Sequence, residues 1–243
     1  MSGQRKVLGI VGGMGSVATA HLFQRLVALT PARTDQDYVE VVLHNNNRVP
    51  DRTRALLGTG PDARQELLRS CRLLDAAGVD VIIIACLTSH AFLDDLIPVT
   101  RARIIDAVAE TARFCRREWP DRRCAGVLAT TGSLLSGIFH RAFTQEGLTI
   151  IQFDDADQEH FFMEPVYAEW GVKAGHTTGL ARERLVAAGR ELASRGAEMV
   201  IAGCTEVPVV VRPEDLSVPL VDVTDVLVRR AIAVCGGEAE VTD

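Results

Sequence analysis

The hydrophobic positions of this chain alternate between short continuous runs and longer stretches with helical spacing. Residues 7–11 form a short apolar run that a glycine-rich sequence closes, which predicts a strand and a turn. Residues 38–45 and 79–86 also read as strands, the latter fully buried, whereas 16–30 and 63–78 read as helices. The helical apolar positions of the first helix are Val17, Leu22, Leu26 and Leu29. This alternation predicts parallel sheets with helices on both faces.

The two halves of the chain share landmarks in the same order and at nearly the same spacing. Residues 124–133 (CAGVLATTGS) align with 7–16 (VLGIVGGMGS). The distance from the aligned glycine to a later cysteine is 77 residues in the first half and 78 in the second. After each cysteine, an apolar run leads to an aspartate. The matched landmarks are Gly9 with Gly126, Gly15-Ser16 with Gly132-Ser133, Cys86 with Cys204, and Asp106 with Asp222. The sequence therefore predicts a duplicated α/β unit.

The repeat predicts two pseudo-symmetric α/β domains, each with a mainly parallel sheet flanked by helices. We place the N-terminal domain at residues 1–104, with 221–243 returning to it, and the second domain at 105–220. In parallel sheets the chemistry gathers at the carboxyl ends of the strands. We expect both repeated cysteines at such ends, on opposite walls of an active-site cleft between the domains.

Composition and charge narrow the classes of function. The chain has 243 residues, 47% of them hydrophobic and 24% charged, with a formal net charge of −6 and no basic stripe, so we expect no nucleic-acid partner. It lacks an apolar run of about 18 residues, so we expect no membrane span. The N-terminal sequence has no signal-peptide pattern, which predicts a cytoplasmic protein.

Six cysteines are scattered without a CxxC pair or a Cys/His cluster, which argues against a disulfide framework and a structural zinc site. Most are expected to be small buried hydrophobic residues. The repeat singles out Cys86 and Cys204. A thiolate and a thiol on opposite faces of one substrate carbon can remove a proton from one side and return it to the other, which inverts the stereochemistry.

Several short motifs, in order, resemble those of the cofactor-independent aspartate/glutamate racemase family. They are GIVGGMGSVAT, VPDRT (49–53), the Cys86 segment, GVLATTGS, GVKAGH (171–176) and GCTEVP. The Cys-Thr-Glu form at 204–206 is most similar to the aspartate racemase branch. The resemblance covers the chain from Val7 to about Ala233. It implies two pseudo-symmetric α/β domains, a homodimer, and a cysteine pair that racemises amino acids with no metal, no pyridoxal phosphate and no other cofactor.

Carried over residue by residue, the resemblance makes Cys86 and Cys204 the acid/base pair. It makes Arg52 and Lys173 the cations that hold the side-chain carboxylate of a dicarboxylic substrate, the first as a bidentate fork and the second as a point charge. The other residues expected to contact the substrate are Met14, Asn45, Leu87, Thr88, Ser89, Thr130, Thr131, Gly132, Ser133, Thr205 and Glu206.

Several of these residues also have an alternative, purely structural interpretation. Arg52 could be a solvated residue at a helix start, and Lys173 a surface lysine in a glycine-flanked turn. The hydroxyl groups could cap helices rather than bind a ligand. His90 could polarise Cys86 or be a structural histidine. Glu206 could be a proton partner of Cys204 or orient a helix terminus.

One position departs from the family pattern, in which the first cysteine is followed by Asn and Thr. Here the sequence is Cys86-Leu87-Thr88. The family's asparagine ordinarily hydrogen-bonds the substrate's amino or carboxylate group, and a bond to a charged group is worth about 1.5–3 kcal/mol. Its loss predicts an affinity or rate for aspartate lower by roughly ten- to a hundredfold, unless another group or another substrate compensates.

Three functions therefore stay open at this point. The first is a racemase of aspartate, glutamate or a close dicarboxylic analogue. The second is an isomerase of a different dicarboxylic acid, as in the similar maleate isomerases, although Lys173 and the Cys-Thr-Glu motif favour the racemase. The third is a catalytically idle dicarboxylate-binding protein, against which the retention of both cysteines argues.

Overall fold

The structure, a computed structural model, describes residues 5–236 of the chain. The chain divides into two compact units: the first runs up to Glu110 and includes the segment from Thr224 onward, and the second is Thr111–Val223. The strands are β1 (Leu8–Gly12), β2 (Val41–Asn45), β3 (Val81–Ile84), β4 (Arg103–Ile104), β5 (Cys124–Val127), β6 (Thr149–Ile151), β7 (Met199–Ala202) and β8 (Leu220–Asp222).

Twelve α-helices lie between and after these strands in the described part of the chain. They are α1 (Ser16–Leu29), α2 (Arg52–Leu56), α3 (Arg64–Ala76), α4 (Leu93–Leu96), α5 (Ala107–Glu118), α6 (Thr131–Leu135), α7 (Ile138–Gln145), α8 (Asp155–Gln158), α9 (Glu164–Tyr167), α10 (Leu180–Ser194), α11 (Val207–Val210) and α12 (Val223–Cys235). Short 3₁₀ segments lie at Asp35–Asp37, Leu87–Phe92, Ile97–Val99, Val172–Ala174 and Pro213–Asp215, and a π-helical turn at Glu159–Met163.

Each unit contains one four-stranded sheet, and the two sheets have the same topology. The strand order is β2-β1-β3-β4 in the first unit and β6-β5-β7-β8 in the second, with every pair parallel. β1 pairs with β3 through Leu8 opposite Val81, and β5 pairs with β7 through Ala125 opposite Met199. The predicted duplicated α/β fold with parallel sheets is confirmed.

The inner strands are buried on both faces, as their continuous apolar sequences predict. All residues of β1, β3 and β7 are buried, and so are three of the four in β5. The strand predicted at 79–86 is shorter than expected, because its ladder ends at Ile84. Its last two residues lead into the turn that carries Cys86.

Helix α1 presents a different face to the core than its apolar spacing predicts. Its buried residues are Ala18, Thr19, Leu22 and Leu26. Val17, one of the positions with helical apolar spacing, is 49% exposed. The polar Thr19 is buried because its hydroxyl donates to the Gly15 carbonyl and accepts the Gly13 N–H, at 2.7 and 3.0 Å.

Two aligned glycines let a helix pack closely on each sheet. Gly9 lies on β1 under α3, where an added Cβ would come within 3.1 Å of Leu74 Cδ1. Gly126 lies at the matching place on β5 under α10, where a Cβ would come within 2.9 Å of Leu192 Cβ. The same steric requirement in both units explains why glycine recurs at this point of the repeat.

We expect Gly126→Ala to lower the free energy of unfolding by about 1–3 kcal/mol through overpacking. The new methyl group would meet the Cβ atoms of Ala197 and Leu192, both at 2.9 Å, and neither atom can move by rotating a side chain. Gly9→Ala is the matched control with a smaller expected loss, since its contacts are with side-chain ends such as Leu74 Cδ1. Urea unfolding of the two variants measures the difference, and an equal or larger loss in Gly9→Ala would contradict this packing argument.

Three further observations bear on the classes of function. No helix among residues 5–236 is long and apolar enough to cross a membrane. Within the same range, no cluster of three or more His, Cys, Asp and Glu side chains is arranged to hold a metal ion. All six cysteines are free thiols, five of them buried and Cys124 partly exposed.

Candidate functional site

Cys86 follows the carboxyl end of β3 in the first unit, as predicted. The ladder ends at Ile84, Cys86 has an extended backbone, and a 3₁₀ segment begins at Leu87. Cys86 is 5% exposed, and Leu87, Thr88 and Ser89 after it are buried. The backbone leaves the sheet here, so Cys86 lies at the carboxyl ends of the parallel strands, where we expect the catalytic residues.

The glycine-rich turn after β1 lies beside the asparagine stretch that follows β2. Gly13 has a φ of 91°, and an added Cβ would lie 2.5 Å from the backbone carbon of Asn46. The Asn46 N–H donates to the Gly12 carbonyl at 3.1 Å. No side chain fits at Gly13, so the close approach fixes the position of the next residue, Met14.

Met14 joins Arg52 to the segment that carries Cys86. Its carbonyl accepts a hydrogen bond from Arg52 Nη2 at 2.6 Å, and its sulfur accepts one from the Ser89 hydroxyl at 3.2 Å. Arg52 Nη1 also donates to the Pro50 carbonyl at 3.1 Å. Three of the predicted site residues, Met14, Arg52 and Ser89, are therefore brought together around one loop.

Arg52 is a buried cation rather than a solvated one. It is the first residue of α2, whose start Asp51 caps by accepting the Arg54 N–H at 2.8 Å. The Arg52 residue is only 8% exposed. Burial of a guanidinium strengthens its attraction for an anion, because less water screens the charge.

His90 contacts the backbone of Cys86. Its Nδ1 lies 3.1 Å from the Cys86 carbonyl. Burial lowers the pKa of His90, so the ring is neutral near pH 7 and Nδ1–H is the donor to the carbonyl oxygen. This bond holds the turn after β3, and it favours the structural interpretation of His90.

The asparagine stretch divides into exposed and buried parts. Asn45 Nδ2 donates to Ser16 Oγ at 3.1 Å and to Asn47 Oδ1 at 2.7 Å, and all three residues lie at the surface around the start of α1. Asn46 is buried and donates to the Glu66 carboxylate at 3.0 Å. The middle asparagine is therefore a structural anchor, a role that a run of three asparagines did not reveal.

Cys204 occupies the matching position in the second unit. It lies two residues after β7, is 6% exposed, and is followed by the buried residues Thr205 and Glu206. Its thiol donates to Glu206 Oε2 at 2.9 Å, and the Thr205 hydroxyl donates to the same oxygen at 3.3 Å. The other oxygen, Oε1, accepts from Lys173 Nζ at 2.6 Å. The predicted residues Lys173, Cys204, Thr205 and Glu206 therefore form one connected group.

The surroundings of Cys204 favour its protonated form. Burial, followed by the negative charge of Glu206, raises the pKa of the Cys204 thiol well above its usual value, while the Lys173 ammonium opposes this shift. The thiol is therefore protonated near pH 7, with its hydrogen directed at Glu206.

Lys173 is not a surface lysine. Its side chain is 21% exposed, and Nζ lies 5.4 Å from the centre of the Tyr167 ring. The 3₁₀ segment that carries it begins after Gly171, whose hydrogen faces the Pro165 and Ala168 carbonyls so closely that a Cβ would lie 2.8–3.0 Å from them. The glycine at this position allows the turn to fold tightly and directs the lysine inward.

The hydroxyls of the ATTGS segment cap a helix. Thr130 Oγ1 accepts the Ser133 N–H at 3.3 Å and lies 2.9 Å from the Ser133 hydroxyl, with both residues buried at the start of α6. The Thr131 N–H points to the Met163 sulfur at 3.4 Å. The structural role weighed for these hydroxyls is thus present, and it holds Thr131 and Gly132 at the carboxyl end of β5.

One buried polar residue beside this segment was missed by the sequence interpretation. Gln158, on α8, donates from Nε2 to the Ala129 carbonyl at 2.8 Å. It fixes the backbone immediately before Thr130. A glutamine among acidic residues, between Asp157 and Glu159, gives no signal of burial.

Comparisons with known proteins relate the chain to one family. A family model described as Asp/Glu/Hydantoin racemase matches residues 11–231. The broad specificity amino-acid racemase RacX of Bacillus subtilis is 21% identical over 236 residues, which are 93% of this chain and 97% of that protein. A glutamate racemase of Corynebacterium kroppenstedtii is 30% identical over 188 residues, which are 74% of this chain and 60% of that protein.

Among solved structures, the aspartate racemase of Picrophilus torridus is similar over nearly the whole chain. The TM-score is 0.83 at 25% sequence identity, with 96% of this chain and 94% of that chain covered. The similarity therefore extends through both units and includes the segments that carry Cys86 and Cys204.

Proposed function

The chain belongs to the Asp/Glu/Hydantoin racemase family, and from this premise we propose that it is a cofactor-independent amino-acid racemase. In this proposal Cys86 and Cys204 transfer protons at the α-carbon of aspartate, glutamate or a close dicarboxylic analogue. The homodimer that the resemblance implies and the cytoplasmic location that the N-terminal sequence predicts belong to the same proposal.

The observation that carries the proposal is the equivalent placement of the two thiols. Cys86 and Cys204 each lie two residues beyond the end of a buried strand, β3 or β7, at the same position in sheets of identical strand order. Matched acid and base groups are what inversion at one carbon needs, because each enantiomer presents its proton to a different thiol.

The protonation state of Cys204 sets the first direction of transfer. The proposed mechanism requires Cys86 to act as the base in its thiolate form: it takes the α-proton of one enantiomer, and the electron pair stays on the α-carbon and its carboxylate. The Cys204 S–H bond then breaks, and its proton is delivered to the opposite face of that carbon. The cycle leaves Cys86 as the thiol and Cys204 as the thiolate, which is the form that accepts the other enantiomer.

The proposed contacts for the substrate follow from charge. The buried Arg52 guanidinium supports binding of a carboxylate, since little water screens its attraction for an anion. The backbone and hydroxyl groups of residues 130–133 support binding of the α-carboxylate, where negative charge grows as the proton leaves. Leu87 offers neither donor nor acceptor at the position where the family pattern has asparagine.

The proposal is tested by incubating the protein with each enantiomer of aspartate and of glutamate and separating the products by chiral chromatography. We expect one of these acids to approach a racemic mixture from both sides, in the presence of a chelator and without added pyridoxal phosphate. Cys124→Ser is the matched control, since Cys124 begins a strand rather than ending one. A folded protein that inverts neither acid would contradict the proposed function.

A further inference from the structure

We propose that Lys173 and Glu206 are a positioning pair for the proton of Cys204: Glu206 holds the thiol hydrogen, and Lys173 keeps Glu206 ionised. This inference rests on the proposed function for its catalytic meaning. It adds a second role to Lys173, which the family resemblance assigns to the substrate's side-chain carboxylate.

Cys204, Glu206 and Lys173 form a hydrogen-bonded chain with Glu206 in the middle. One carboxylate oxygen of Glu206 accepts from Cys204 Sγ at 2.9 Å, and the other accepts from Lys173 Nζ at 2.6 Å. The two bonds use different oxygens, so the carboxylate lies between the thiol and the ammonium. Glu206 thus connects Cys204 to Lys173.

The burial of Glu206 explains why its carboxylate needs Lys173. The Glu206 side chain is 6% exposed, and a carboxylate so far from water stays ionised only with a close counter-ion and hydrogen-bond donors. Lys173 supplies the counter-ion, and the Thr205 hydroxyl and the Cys204 thiol supply donors. Loss of the ammonium would favour protonation of Glu206, and a neutral carboxyl group is a weaker acceptor for the thiol hydrogen than a carboxylate.

The charges that act on the Cys204 thiol are those of Glu206, from the turn after β7, and of Lys173, from the 3₁₀ segment Val172–Ala174. They act in opposite directions. The Glu206 carboxylate stabilises the protonated thiol, and the Lys173 ammonium stabilises the thiolate. Substitution of either residue therefore changes the pKa of the Cys204 thiol in a predictable direction.

The pair also links substrate recognition to proton transfer. An ammonium group has three hydrogens, and one of them is committed to Glu206. A second carboxylate on the substrate, bound at Lys173, would share the ammonium with Glu206 and weaken their bond. Glu206 would then hold the Cys204 proton more strongly, so a dicarboxylic substrate would alter the proton affinity of the group as well as bind to it.

The test follows the titration of Cys204 by NMR in protein labelled with ¹³C at cysteine Cβ, with the resonance assigned by its absence in Cys204→Ser. In Glu206→Gln, an isosteric change, we expect the midpoint to fall by about one pH unit or more, because a nearby negative charge is removed. Adding Lys173→Met to that variant should raise the midpoint again. Lys173→Arg, which keeps the positive charge, should leave Cys204 protonated near pH 7, as in the unsubstituted protein.

An unchanged or higher midpoint in Glu206→Gln would overturn the inference, and so would a double variant with the same midpoint as Glu206→Gln. This titration needs no substrate, so its failure is distinct from failure of the proposed function, which chiral analysis detects. In a protein that racemises aspartate, Glu206→Gln should also lower kcat about tenfold or more while leaving KM unchanged or lower, since the Lys173 ammonium then no longer faces the Glu206 carboxylate.

Discussion

Serine in place of Cys86 or Cys204 is expected to reduce the rate of inversion by about 10²- to 10⁴-fold, the range that a positioned acid or base contributes. The hydroxyl group has nearly the shape of the thiol but a far higher pKa, so it cannot serve as the base. Both cysteines are almost completely buried, and serine adds no bulk at either position. Loss of activity without loss of folding would therefore report the proton transfer itself.

The two single variants should also differ from each other in what they retain. In Cys204→Ser, Cys86 still removes the α-proton of one enantiomer and returns solvent deuterium to the same face, so exchange persists without inversion. In Cys86→Ser, the opposite enantiomer should exchange. Mass spectrometry of each recovered enantiomer in D₂O measures this, with Cys124→Ser as control, and inversion at the unsubstituted rate in either variant would rule out the two-thiol mechanism.

Asparagine in place of Leu87 is expected to raise the turnover of aspartate by roughly ten- to a hundredfold. A hydrogen bond from the new amide to a charged substrate group is worth about 1.5–3 kcal/mol, which corresponds to that factor. Leu87 is buried directly after Cys86, at the position where the family pattern has its asparagine. We expect kcat/KM for aspartate to rise more than kcat/KM for amino acids with apolar side chains.

Leu87→Ala distinguishes the effect of the new amide from the effect of removing the leucine side chain, because it removes that side chain without adding a polar group. If this variant raised aspartate turnover as much as Leu87→Asn, relief of crowding rather than hydrogen bonding would be the cause. An unchanged or lower turnover in Leu87→Asn would mean that residue 87 does not reach the substrate. A buried amide without a partner would then show itself as a loss of about 1–3 kcal/mol in unfolding free energy.

The sequence predicted those features of the fold that depend on local hydrophobic patterns and on the internal repeat. Buried parallel strands have continuous apolar runs, and Gly9 and Gly126 mark the places where a helix must approach each sheet closely. The repeat placed Cys86 and Cys204 beyond the ends of β3 and β7, because strand ends are set by the same local pattern in both halves. The family resemblance supplied the roles that spacing alone does not contain.

Long-range polar contacts could not be predicted in this way. Lys173 and Glu206 are 33 residues apart and meet only when the 3₁₀ segment packs beside the turn after β7. Asn46 differs from Asn45 only in the direction in which the backbone turns its side chain, toward the interior instead of the surface. Val17 fits a helical apolar spacing, yet the buried residues of α1 are Ala18, Thr19, Leu22 and Leu26. Such outcomes depend on tertiary packing, which has no local signature.

The position of solvent deuterium in the first turnovers is the most direct measurement of two-base inversion. The protein is incubated with L-aspartate or L-glutamate in D₂O, and both enantiomers are recovered before a few per cent has reacted. We predict that the newly formed D-enantiomer carries deuterium at the α-carbon while the remaining L-enantiomer does not, because one thiol removes the proton and the other delivers a solvent-derived one. A product that retains the original hydrogen, or equal labelling of both enantiomers from the start, would contradict this mechanism.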